Sequence, residues 1–453
     1  MLSVIIENEF KSIILTLDSK MLGILQREKI KFKGGHVMEN NKGKIFRKGS
    51  KQSGITLVAL VVTIVVLLIL AGVSLSLVLR NDGIIGRAKE SGTEYAKGKT
   101  NDQTDLNSAE DEIDKALGTY DPLKKIPEKT IEEAKADSML ESNEKSKVKF
   151  TDGTVVIPEK FKIASDSAST VAGGVVIEDK SGNQFVWIPV ASISDYKRTA
   201  YSTNVETDTV DETTKSKQIK PSSSSTYYFT EAMPEDEKTS VETYYGYYIG
   251  RFEAGDKEST ESKDERTSSS SQDNTVTIKK GQTLYNYVTK TQAENLVKGM
   301  KEKQGYTATT KLCSSYAWDT AIAFIQKTNS DYGSSSEEGN YNNSLTFSYK
   351  DLKNVTQEKT NGKTKLIPTG QTTPVCNIYD MGGNVYEWTT ELYSYGSYPC
   401  TVRGGNYDSV YAGSPAGCRG NYSDNARGDF RFSSHFIYVD LSPGCNKPEI
   451  NRN

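Results

Sequence analysis

Five cysteines, at positions 313, 376, 400, 418 and 445, and two histidines, His36 and His435, are the side chains with most chemical reach. Two imidazoles exclude any metal centre or acid-base relay that needs a histidine cluster. A serine nucleophile would have only His435 as a base, in no recognisable pairing. Cys376, Cys400, Cys418 and Cys445 are free to form two bridges, with Cys313 left as a buried thiol. Acid and amide side chains near Asp380 and in Asn421–Asn425 offer hard oxygen ligands. Their spacing matches no dedicated calcium loop, so calcium enters only as a structural ion and no other cofactor is expected. Lys+Arg 56 against Asp+Glu 59 gives a net charge of -3, which excludes nucleic-acid binding through bulk positive charge.

The strongest physical feature lies far from these residues. Ile55–Leu79 is an unbroken uncharged run whose aliphatics are interrupted only by threonines, serines and one glycine. As a helix it would measure about 37 Å at about 1.5 Å per residue, enough for the roughly 30 Å hydrocarbon core of a bilayer. Its β-branched residues disfavour a helix in water, but in lipid the backbone must satisfy its own hydrogen bonds. Lys42, Lys44, Arg47, Lys48 and Lys51 precede the run, which predicts a cytoplasmic leader and an extracellular C-terminal portion.

The Gly54-Ile55-Thr56-Leu57 junction sits before the apolar run rather than after it. This arrangement resembles the prepilin family, and the resemblance implies cleavage by a prepilin peptidase between Gly54 and Ile55 with N-methylation of the new terminus. It also implies pilin-like subunits as partners, in a filament or secretion assembly. The family's glutamate at the fifth mature position is replaced by Ala59, which weakens the filament reading more than the membrane one. Met38 would open a leader of ordinary size for this family, so a misassigned start is the preferred reading of residues 1–37, with a cytoplasmic tail as the alternative.

Residues 80–147 are polar with helical spacing in DGIIGRAKESGTEYAKG and DLNSAEDEIDKALGTY, and predict a helical stalk or linker. Strand patterns begin near Val148. TDGTVVIPEKFKIASD and GGVVIEDKSGNQFVWIPV read as strands around turns, the latter pair around Lys-Ser-Gly. YYGYYIGRF, Tyr244–Phe252, reads as a strand, while Leu284–Met300 and Ser314–Ile325 read as amphipathic helices. Serine runs at 222–225 and 268–271 mark loop insertions.

FVWIPV, LCSSYAWDTA, IYDMGGNVYEW and VRGG followed by DFRF resemble the blocks of the formylglycine-generating, or sulfatase-modifying-factor, family over about 183–440. The resemblance implies a C-type-lectin-like domain, placed at 148–445 with long insertions. Together with the 1–54 leader, the transmembrane helix at 55–79, the 80–147 stalk and a 446–453 tail, the expected fold class is α+β. In its central blocks Gly383, Asn384, Trp388, Gly404 and Gly405 are expected to be structural, with Glu387 and Arg403 as partners. The family's copper-binding cysteines fall on Ser409 and Ser414, so formylglycine-type oxidation is not expected, and neither is an iron centre built on histidines.

Between Asn406 and Ser434 the chain is rich in Tyr, Asn, Ser, Gly and Asp, a mixture that suits an adaptable contact surface. The stretch resembles the variable region in targets of diversity-generating retroelements. The resemblance implies ligand-facing side chains at Asn406, Tyr407, Asp408, Ser409 and Tyr411, and at Asn421, Tyr422, Ser423, Asp424 and Asn425. Tyr407 and Tyr422 are both expected to be exposed. The leading expectation is a surface-anchored binder of an extracellular protein or glycan. A minor pilin or pseudopilin is the alternative.

Overall fold

A computed structural model describes residues 109–136, 144–210, 217–223, 226–257, 275–424, 432–433 and 437–440, with Leu67 alone before them. The Gly54-Ile55 junction, the rest of the run 55–79, His36, His435, Asn425, Cys445 and the serines 268–271 lie outside the described residues. Among the described residues no helix is long and apolar enough to cross a membrane. The chain divides into two compact units, Met1–Ala109 and Glu110–Asn453, and every described strand lies in the second.

The fold is α+β with sheet predominating. A helix α1 over 109–117 coincides with the second helical pattern of the expected stalk. Beyond it the stretch is built into the compact unit. β1 (Glu128–Lys129) pairs in parallel with β2 (Ser146–Phe150), which continues antiparallel into β3 (Gly153–Ile157). α2 (Ile131–Ala136) follows β1, and Leu123 and Ala134 join Val148, Phe150 and Trp187 in the main core. The 80–147 stretch is thus not wholly a connector. Its apolar residues Leu123, Ile126, Ile131 and Ala134 are few and irregularly spaced, and a periodicity search does not register them.

β4 (Phe161–Ile163), β5 (Val176–Asp179), β6 (Gln184–Pro189), β10 (Gly246–Gly250), β14 (Thr309–Leu312) and β21 (Ile437–Asp440) form a sheet in the order β14-β21-β10-β6-β5-β4. The expected strand at Tyr244–Phe252 is shorter than its pattern. Tyr244 ends α3 (Glu235–Tyr244), and Tyr245 takes a left-handed conformation (φ 59°) between helix and strand. Two small strands, β11 (Gly255–Asp256) and β12 (Val276–Thr277), flank an insertion, and β13 (Thr283–Leu284) completes their sheet. Leu284 is therefore in a strand. The helix expected from Leu284 begins later, as α4 (Lys290–Gln304), because Thr289 and Gln292 form a capping box there. α5 (Ser315–Ile325) begins where its pattern predicts, with the Ser314 hydroxyl accepting from the Ala317 N–H.

The second large sheet positions the candidate site. Its order is β19-β18-β17-β9-β8-β7, built from β7 (Val205–Val210), β8 (Lys217–Pro221), β9 (Phe229–Thr230), β17 (Tyr386–Tyr393), β18 (Cys400–Arg403) and β19 (Arg419–Tyr422). β20 (Phe432–Ser433) runs parallel to the start of β17, level with Tyr386 and Glu387.

Candidate functional site

The base of the site is a buried charge network that joins four elements, α5, β17, β18 and β19, with Arg198 from a loop. Asp319 on α5 takes Arg403 Nη2 on one carboxylate oxygen at 2.6 Å and Arg419 Nη2 on the other at 2.5 Å. Arg419 Nε also donates to Glu391 on β17, at 3.0 and 3.1 Å, and Arg198 Nη2 donates to the same carboxylate at 2.5 Å. All five side chains are essentially inaccessible to water. Burial pushes the Glu391 carboxyl up, but Arg419 and Arg198 outweigh it and hold it at about 2. Arg403 and Glu387 were expected to pair. They are opposite each other in the β17–β18 ladder, but the guanidinium turns to Asp319 and to the Cys418 carbonyl (2.8 Å).

Glu387 belongs instead to a group of buried acids. Burial, then Glu253 and Asp380, raise its carboxyl well above the usual range. Burial raises Asp380 to about 6, and burial followed by Asp380 raises Glu253 well above its ordinary value. Asn384 holds this region together through distant partners rather than its own neighbours. Its Nδ2 donates to Glu253 Oε2 (2.5 Å) and its Oδ1 accepts from Asn340 Nδ2 (2.9 Å) and the Ile367 N–H (3.2 Å). Trp388 is fully buried and donates Nε1 to the Val288 carbonyl at 3.0 Å, as expected of a core residue.

The chain leaves β18 through Gly404 and Gly405, both at positive φ (88° and 73°). A Cβ on Gly405 would lie 2.2 Å from the Ser414 carbonyl oxygen, and one on Gly404 would lie 2.5 Å from Glu387 Oε2. Only glycine fits this corner. Gly383 serves the same bend from the other side, its N–H donating to the Gly404 carbonyl at 2.7 Å.

The next loop carries the first group of expected contact residues. The Asn406 side-chain oxygen accepts from the Asp408 N–H, the Ser409 N–H and the Ser409 hydroxyl, an Asx turn that fixes the loop's start. Asp408, Val410, Ala412 and Gly413 are exposed, and Asn406, Ser409 and Tyr411 are half-buried. Tyr407 is not exposed. It is 8% accessible and packs with Leu284, Leu366 and Val385 while its N–H donates to the Asn384 carbonyl. Composition cannot distinguish the anchoring tyrosine of a loop from a displayed one.

The second group lies along and after β19. Asn421, Tyr422 and Ser423 are half-buried, so the expected exposure of Tyr422 is also corrected. Its ring packs against the core, and burial and Tyr386 raise its hydroxyl to about 12. Asp424 is exposed and binds the first turn of α4, accepting from Thr291 Oγ1 at 2.5 Å and from the Thr291 N–H at 3.3 Å. That position favours an anion at the helix N-terminus.

Tyr386, which the sequence motifs do not single out, joins the two groups. Its hydroxyl lies 3.3 Å from Ser409 Oγ and also bonds Ser414, while its ring is 6.1 Å from that of Tyr422. The available signal was its place inside GGNVYEW, two residues before the buried Trp388. Ser409 and Ser414 thus do converge, but they present hydroxyl oxygens. Cys418, nearby, is buried and its thiol is pushed up to about 11. Hard oxygens and a neutral thiol do not match the soft thiolate pair that copper(I) requires.

Among the described residues no group of three or more His, Cys, Asp or Glu gathers in a geometry that could hold a metal ion. Asp380 already accepts from the Gly370 N–H (2.6 Å) and the Thr372 hydroxyl, and Asp424 is engaged by α4. Cys313, Cys376, Cys400 and Cys418 are all free thiols, so no bridge forms between the described cysteines.

Neither a family model nor a curated protein matches the sequence. Similar solved structures include the crystal structure of CarF, 15% identical, covering 35% of this chain and 67% of that one, with a TM-score of 0.26. Another is PvdO from Pseudomonas aeruginosa, 14% identical, covering 59% of this chain and 98% of that one, with a TM-score of 0.29.

Proposed function

We propose that this chain is a surface-anchored extracellular binding protein without catalytic activity. On this reading a prepilin peptidase cuts between Gly54 and Ile55, and the 55–79 helix holds the mature protein in the membrane. A C-type-lectin-like, sulfatase-modifying-factor-like domain then displays its Tyr- and Asn-rich loops outward. The observation that carries the reading is the meeting of the 406–411 and 421–424 stretches around Tyr386, above a rigid base of glycine corner and buried ion pairs. A preorganised base lowers the ordering cost of binding and lets contact residues vary without loss of fold. Asn406, Asp408, Ser409, Tyr411, Asn421 and Ser423 then make the contacts, with Tyr407 and Tyr422 as supports.

The test uses the segment Glu110–Asn453, a compact unit, on an array of extracellular proteins and glycans. Replacing Asp408, Tyr411 and Asn421 together with alanine should abolish the wild-type array signals and leave the melting temperature unchanged. Signals that survive this triple change defeat the contact assignment. Mass spectrometry of membrane-extracted protein should find N-methylated Ile55 at the amino terminus, and a terminus at another residue defeats the processing assignment. Flanking DNA carrying a near-repeat of the 406–425 codons altered only at adenines would support diversification of the loops.

A further inference from the structure

The hairpin joining β17 to β18 lies at the opposite end of these strands from the 406–414 loop, and it meets the residues before β9. The Ser394 N–H donates to the Tyr228 carbonyl at 2.9 Å and the Tyr228 N–H donates back to Ser394 Oγ at 2.8 Å. This lacing lines up four tyrosines. The Tyr227 ring is 6.1 Å from Tyr393 and 4.9 Å from Tyr395, and Tyr395 is 5.7 Å from Tyr398. Tyr393 is buried against Phe229 at 4.7 Å, over Val205 and Ile219, so the row has an apolar footing. The other three remain open, at 36%, 37% and 45% exposure for Tyr227, Tyr395 and Tyr398.

Two features define what this ledge can hold. In a chain that is 25% charged, neither 221–230 (PSSSSTYYFT) nor 392–402 (LYSYGSYPCTV) contains a charged residue, and both are rich in hydroxyls. An ionic partner would find no counter-charge on these segments. The open ring area is also small. At about 200 Å² per tyrosine the three rings expose roughly 250 Å², far below the roughly 800 Å² per partner of a stable protein interface. It suits a few sugar rings, whose polarised C–H faces lie on the negative face of an aromatic ring while their hydroxyls bond to phenol and serine oxygens.

We propose that Tyr227, Tyr395 and Tyr398 form a binding site for a neutral glycan, separate from the 406–424 surface. The rings supply stacking, and the lack of charged residues within the two segments favours uncharged sugars.

The experiment uses the full chain in a detergent without a sugar headgroup, titrated by calorimetry with neutral hexasaccharides of glucose, mannose and N-acetylglucosamine. At least one should bind. Tyr395→Ala, Tyr227→Ala and Tyr398→Ala should each weaken that binding tenfold or more, while Tyr395→Phe keeps most of it. Tyr245→Ala, exposed elsewhere, should leave it unchanged. A circular-dichroism melt confirms that each variant folds. Failure of all three sugars at millimolar concentration overturns the proposal. So does binding that ignores the ledge variants but responds to Tyr411→Ala, or tighter binding of an acidic hexasaccharide.

Discussion

Tyr407 and Tyr411 share a loop and a residue type but have different surroundings. The first is locked under the loop by Leu284, Leu366 and Val385, whereas the second is half-buried beside Tyr341, at a ring distance of 6.4 Å. Tyr407→Ala should therefore lower stability by about 3 kcal/mol, as for other large aromatic truncations in a core, while Tyr411→Ala should change it by about 0.5 kcal/mol or less. Urea unfolding of Glu110–Asn453 measures both, and equal costs would place the two rings in the same environment. Asp319 gives a sharper case. It neutralises Arg403 and Arg419 at once, so Asp319→Ala leaves two buried guanidiniums short of a counter-charge and should cost about 3–5 kcal/mol. A loss below about 1 kcal/mol would mean that water reaches the network.

At the scale of elements, the sequence was legible wherever the decisive signal was local. Ser314 caps α5 where its pattern starts, and Gly182, at φ 82°, makes the turn between β5 and β6 that Lys-Ser-Gly announces. The start of α4 was also legible, since Thr289-x-x-Gln292 is a capping box. The apolar residues from Leu284 to Val288 imitated one more helical turn and masked it. Tyr407's burial and the true partners of Arg403 were not legible. They depend on residues brought together from distant parts of the chain, such as Arg198 with Glu391, and composition has no access to register between elements. The α4 cap yields its own prediction. Thr289→Ala should destabilise the unit by about 1 kcal/mol and speed amide exchange in the first turn of α4. An unchanged exchange rate there would show that Asp424, bound to Thr291, suffices to hold the helix start.

For the molecule as a whole, the buried and half-buried carboxyls set the response to pH. Glu231 accepts from the Ser315 N–H (2.7 Å) and hydroxyl (2.5 Å) and from the Thr390 hydroxyl, and burial followed by Glu391 raises its carboxyl to about 7. Asp380 is raised to about 6, and Glu237, Glu253 and Glu387 are shifted the same way. A raised acid binds its proton more tightly in the folded state than in the unfolded chain, so its stabilisation is complete at low pH and is lost as pH climbs through the folded value. Glu391, held at about 2, acts in reverse, because its stabilisation is present above the ordinary glutamate range and disappears as pH falls towards 2. Glu133, Asp152 and Asp351, lowered chiefly by hydrogen bonds from backbone N–H groups, act in the same direction as Glu391. With these acids losing their stabilisation below the ordinary carboxylate range and the five raised acids losing theirs above it, the melting temperature of Glu110–Asn453 should peak between about pH 4 and 5 and fall steadily to pH 7.5. Glu231→Gln, which cannot ionise, should flatten the decline between pH 6 and 7.5, so that the variant overtakes the wild type at the upper end. A melting temperature that rises from pH 5 to 7.5 would mean that these acids ionise at ordinary values in the folded protein, with water or a bound cation meeting their charge.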